Sequence, residues 1–301
     1  MEWEFELVAG PYGGPSHGLW WDGQGVLFPV PSQASVLRYL PSQGSVVEFC
    51  THLPGVRGLA MDSNGVLFAC QSDARRLIRF HADGRIGSME HTVDGRYHNH
   101  PHDLAIDSRR RIWFSDPHAD SPLRGAQVQG PLDFASVLRL EQHRDRSWEL
   151  RRMTYDTTAP RGVLFSSDEA TLYVADDGDE DGDAELRAYP VMDDGTLGPY
   201  DVLLTFGRDH RGVHRGIDGM CLDSEGNIVA CAGGTRSGAG PAVYVLAPTG
   251  RIIEMHVLPV GEPRTCAFGD NELDSLYVTS AEGHLFRVGN TGRRGARAAR
   301  G

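Results

Sequence analysis

One motif recurs six times along the chain. The copies run from His17 (HGLWWDGQGVLFPV), Arg57 (RGLAMDSNGVLFAC), His102 (HDLAIDSRRRIWFSD), Arg161 (RGVLFSSDEATLYVAD), Asp218 (DGMCLDSEGNIVACA) and Thr265 (TCAFGDNELDSLYVTS). The equivalent apolar residues are Leu19, Leu59, Leu104, Val163, Met220 and Ala267, at spacings of 40, 45, 59, 57 and 47 residues. Self-similarity at this period is the signature of a repeat architecture, with one supersecondary unit per copy. Each copy reads as a β-hairpin. The DSNG and DSEG tetrads carry turn chemistry, and the flanking runs alternate and are rich in Val, Ile, Phe, Tyr and Trp.

A third strand follows each hairpin at Val36, Arg76, Val137, Glu185, Ala242 and His284. A fourth follows after a turn in most copies, as in Val46-Val47-Glu48-Phe49. The unit is therefore a four-stranded antiparallel sheet. The sixth copy runs out of chain after its third strand, while Trp3-Glu4-Phe5-Glu6-Leu7-Val8 belongs to no copy and has the length of one strand. The expected fold is all-β: a six-bladed β-propeller over residues 1–288, its ring closed by the N-terminal strand in the last blade. The Gly/Arg-rich stretch 289–301 is expected to be a disordered tail. No segment shows helical periodicity.

Composition narrows the partners. A net charge of -12 disfavours nucleic acid, which requires clustered positive charge. No apolar run reaches the length of a membrane span, and Met1-Glu2-Trp3-Glu4-Phe5 lacks a signal-peptide core. Five cysteines with no CxxC pair read as small core residues. These features predict a soluble, cytoplasmic protein acting on a small molecule.

The repeat also predicts where chemistry sits. The first strand of each blade lines the channel, so the residue preceding it stands at the mouth. His17, Arg57, His102, Arg161, Asp218 and Thr265 then converge, and none is apolar. Two mechanisms fit this ring. In one, His17, His102 and Asp218 hold a divalent metal, a transition ion by the nature of the donors. In the other there is no metal. Arg57 and Arg161 supply fixed positive charge, His17 and His102 act as general acid and base, and Asp218 orients or accepts a proton. Arg57, His100, Arg161 and Thr265 are the candidate substrate-binding residues, and His17, His102 and Asp218 the catalytic ones. His98 and His100 alternate with His102 along an extended run, and His98 reads as a loop residue. His118 and His214 read as loop residues near the same mouth. Asp177, Asp179, Asp181 and Gly182 imitate the start of a calcium loop, but Ala188 stands where its bidentate Glu belongs, so the stretch reads as a solvated acidic insertion. A second insertion spans His118 to Ala135.

Several stretches, Pro101–Pro117, Pro160–Gly178, Asp218–Ala232 and Pro263–Ser280, resemble the regucalcin / gluconolactonase (senescence marker protein) family of calcium- or zinc-dependent lactonases. The resemblance spans Ser16 to Val288. It implies a propeller and lactone or related ester hydrolysis, with metal ligands at the first, fourth and fifth mouth positions and substrate contact at the third. It also implies that the fifth-position Asp218 is a general base. This chain keeps Asp218-Gly219 but has His17-Gly18-Leu19 where Glu-Gly-Pro is usual, Pro101-His102-Asp103 for Pro-Asn-Asp, and Pro160-Arg161-Gly162 for Pro-Asn-Gly. Two of the three ligand positions differ, and an Arg cannot coordinate. A diverged cyclase, isomerase or lyase and a non-catalytic ligand-binding propeller are the other function classes the ring admits.

Overall fold

The computed structural model describes residues 2–89, 92–93, 95–118, 130–178 and 182–296. Six four-stranded antiparallel sheets follow one another in chain order. The innermost strands are Trp20–Trp21, Val56–Met61, Leu104–Ile106, Pro160–Phe165, Ile217–Leu222 and Pro263–Gly269. In the sixth sheet the outer place is filled by Glu6–Ala9, which pairs antiparallel with Leu285–Val288. Helix among the described residues is limited to two 3-10 turns, Pro31–Gln33 and Ser72–Ala74. No helix among them is long and apolar enough to cross a membrane.

The packing explains the sequence pattern. Successive side chains of a strand point to opposite faces, and here both faces of each blade are covered. In the first blade Val26 and Phe28 join the cluster shared with the sixth, while Leu27 joins the cluster shared with the second. In the fifth, Ile228, Ala230 and Ala232 pack towards the fourth, and Val229 and Cys231 towards the sixth. Second strands are thus buried on both faces, and VLFPV and IVACA are apolar throughout. The remaining interfaces hold Phe68 with Phe114 and Trp113 with Phe165. Blade-to-blade contact is therefore continuous around the ring. The five cysteines are free thiols.

Near the axis the blades approach too closely for side chains. A Cβ on Gly18 would collide with the Arg57 carbonyl oxygen, and one on Gly58 would lie 2.7 Å from the Asp103 Cα. The Gly58 N–H donates to the His102 carbonyl at 2.9 Å. Small residues at this position let each inner strand dock on the next.

The expectation of a disordered tail from 289 onward is corrected for residues 289–296. The Arg293 guanidinium pairs with Asp223 (2.7 Å) and with Glu254, and Gly295 bridges to Asp223. Arg293 of this stretch thus finds a buried carboxylate on the fifth blade. Residues 297–301, most of the His118–Ala135 insertion, and Asp179 and Asp181 lie outside the described residues.

Trp3 anchors the chain's start. It is buried and stacks on His256 with centroids 3.9 Å apart, within the cluster between blades five and six. Trp3→Ala is expected to lower unfolding free energy by about 3 kcal/mol, the usual cost of emptying a buried aromatic site. Urea unfolding measures this, and an unchanged midpoint would mean that the N-terminal segment does not close the ring.

Candidate active site

Strand register decides which side chains reach the mouth. Leu59, Leu104, Val163 and Met220 pair with Ala69, Phe114, Val174 and Ala230, the middle of each second strand. In the sixth blade the residue so placed is Cys266, opposite Val278. The mouth position there is Arg264, two residues earlier, and not Thr265. A one-residue slip moves a side chain to the other face. Accordingly, Arg264 Nη1 donates to Asp218 Oδ2 at 2.9 Å, while Thr265 packs on the neighbouring blade, its Oγ1 2.5 Å from where a Cβ on Gly219 would stand. Register irregularities at Val56/Leu59, Pro160/Val163, Ile217/Gly219 and Pro263/Cys266 fall on the mouth residues. Bulges of this kind re-aim side chains beside functional sites.

Three of the predicted residues meet. His17 Nδ1 lies 3.4 Å from Asp218 Oδ2, and His102 Nε2 lies 3.3 Å from Asp218 Oδ1. The two imidazoles meet edge to face, with centroids 4.9 Å apart. His17, His102 and Asp218 are 9%, 2% and 6% exposed. Arg57 Nη1 is 3.4 Å from His17 Nε2. An arginine can only donate, so Nε2 of His17 accepts and its proton sits on Nδ1, facing Asp218. Apart from the approach of Nε2 to Asp218, neither ring nitrogen of His102 has a hydrogen-bond partner among the described residues. Arg161 Nε donates to Asp177 Oδ2 at 3.0 Å. His100 is half-buried, with its backbone N–H held by Asp116. His98 lies in a loop but is buried edge-on against Phe114, not solvated. His118 is exposed, and His214 lies 3.5 Å from Asp209.

Arg215 and Arg264 were not singled out by the sequence. Arg215 spans the site's wall. Its Nη1 donates to the carbonyls of Gly233 and Pro263, and its Nη2 to Asp218 Oδ2 at 2.7 Å. It lies outside the repeat, so no periodicity marks it. Arg264 was legible in the Pro263-Arg264 and Pro160-Arg161 pairs.

Burial depresses His17 to about 4, against the pull of Asp218 and with the push of Arg57 and Arg264. His102 is held well below the ordinary histidine value by burial, opposed by Asp218 and assisted by His17, Arg57 and Arg161. Both rings are neutral at pH 7. Burial alone would raise the Asp218 carboxyl, but His17, Arg215 and His102 hold it well below the carboxylate range. With the imidazoles neutral, the lasting support is the guanidinium pair of Arg215 and Arg264. Desolvation pushes the half-buried Asp103 up to about 7, against the hydrogen bonds its carboxyl accepts from the Val163 and Leu104 backbone.

His17, His102 and Asp218 are the residues that could hold a metal, since their ligand atoms lie within 4.8 Å of one another. One carboxylate does not suit calcium, which takes six to eight oxygens. For a transition ion the donors are of the right kind, but the surroundings oppose it. Two guanidiniums occupy Asp218 Oδ2 and a third touches His17. A dication about 5 Å from one guanidinium meets roughly 7 kcal/mol of repulsion at an effective dielectric near 20.

Residues 87–282 match the family described as SMP-30/Gluconolactonase/LRE-like region. The chain belongs to this family. The SMP-30/gluconolactonase fold is evident in a gluconolactonase of Xanthomonas campestris, 27% identical, superposing with a TM-score of 0.77 over 94% of this chain and 88% of that one. The chain is 28% identical over 202 residues to a 6-deoxy-6-sulfogluconolactonase of Pseudomonas putida, covering 66% of this chain and 60% of that protein. It is 42% identical to the regucalcin of Gallus gallus over 72 residues, 23% of this chain and 22% of that one. It thus spans less than two thirds of these curated relatives.

The buried neutral His17 carries a pH signature. The unfolded chain takes up a proton near the ordinary value of about 6.5, and the folded one only near 4. Between these values the unfolded state binds more protons, so stability falls as pH falls through this window. His17→Gln removes that component, and from pH 7 to pH 4 the variant is expected to lose roughly 3 kcal/mol less than the parent. Urea unfolding across pH measures the difference, and parallel curves would show that His17 is not buried as a neutral ring.

Proposed function

We propose that the protein is a hydrolase of lactones or closely related esters, with its chemistry at the channel mouth. The carrying observation is that His17 and His102, from blades one and three, meet the Asp218 carboxylate of blade five, all three side chains being buried. Family membership and the lactonase names of two relatives support the reaction class.

The arrangement suggests a division of labour. His17 donates its lone pair to no base chemistry, because Arg57 occupies Nε2. It positions Asp218. His102 is the general base: Asp218 Oδ1 keeps the proton on Nε2, and Nδ1 carries the lone pair. Water attacks the acyl carbon while His102 takes one of its protons, and Asp218 offsets the imidazolium charge. The carbonyl oxygen gains negative charge opposite an arginine of the mouth, Arg57 or Arg161. The ring C–O bond then breaks, and the leaving oxygen takes the proton back from His102. Water is consumed, and a hydroxy acid is the product. No step needs a metal.

Removing a positioned general base typically costs 10²–10⁴-fold. His102→Gln and Asp218→Asn are expected to lower kcat for lactone opening by about that much, read as proton release in weak buffer, with the fold retained by circular dichroism. Activity is expected to survive a chelator. A His102→Gln enzyme of parental kcat would contradict the assignment.

A further inference from the structure

The mouth residues alternate in kind. Odd blades contribute His17, His102 and Asp218, and even blades contribute Arg57, Arg161 and Arg264. Arg215 adds a fourth guanidinium. Facing these are the carboxylates of Asp218, Asp177 and Glu262. Four guanidiniums therefore gather on the axis of a chain whose net charge is -12. Arg264 Nε is buried without a hydrogen-bond partner among the described residues, although buried donors are normally satisfied. Both features ask for the same thing: an acceptor-rich, negatively charged group among them.

We infer that the channel mouth binds an oxyanion, a carboxylate, sulfonate or phosphate group on the substrate, through the arginines of the even blades. This replaces the divalent cation that His17, His102 and Asp218 would otherwise hold. The guanidinium forks suit such groups geometrically. An anion relieves the mutual repulsion of the arginines, whereas a cation adds to it. The inference relies on the lactone reading only for the reactive end of the substrate, since anion binding does not require that chemistry.

The test is calorimetric titration of the full chain with inorganic sulfate in the presence of chelator. Saturable one-to-one binding is expected, weakened at least tenfold in Arg57→Gln and in Arg161→Gln. The two variants are made separately so that a fold defect in one, read by circular dichroism, leaves the other. Acetate, methanesulfonate and phosphate then rank the three anion chemistries. Without chelator, zinc is expected to give no binding that depends on His102. No sulfate binding to the parent chain, equal binding to the folded variants, or stoichiometric zinc binding lost in His102→Ala would each overturn the inference. Sulfate binding with no lactone opened would defeat the hydrolase reading alone. Turnover of neutral lactones unaffected by sulfate would defeat the anion site alone.

Discussion

Asp218 is a carboxylate buried to 6% exposure, and everything at the mouth is arranged around keeping it ionised. A buried charge is tolerated only when paired and hydrogen-bonded. Arg215 and Arg264 supply that pairing at 2.7 and 2.9 Å from one oxygen, which leaves the other to face His102. Arg215 is itself tied to the carbonyls of Gly233 and Pro263, in blade five and at the start of blade six. The charge at the centre of the ring is thus braced by the backbone that forms the ring.

The propeller provides the rest. Each inner strand begins at the axis, and each docks on its neighbour through a small residue such as Gly18 or Gly58. The mouth side chains are consequently delivered at fixed separations by rigid sheets. His17 and Asp218 are far apart in sequence yet meet because their blades are rotated copies.

The fold was legible because a propeller writes its symmetry into the chain. The repeat, the strand order and the residues of five blades follow from one pattern. The site was legible to the same extent, in His17, Arg57, His102, Arg161 and Asp218. Thr265 was misplaced because apolar residues were counted from Ala267, and a bulge before Cys266 hides the slip from alternation alone. Arg215 left no periodic mark, since it sits before its strand and acts through two carbonyls. The stretch 289–296 read as part of a disordered tail because its partner carboxylates, Asp223 and Glu254, are distant in sequence.

The central claim is that an anion, not a cation, completes the ring. X-ray diffraction from crystals grown with both zinc and sulfate, collected across the zinc absorption edge, addresses it directly. The expected result is a tetrahedral oxyanion in contact with Arg57, Arg161 or Arg264 and no anomalous peak between His17, His102 and Asp218. A zinc peak on those three side chains, with the guanidiniums turned away, would contradict it.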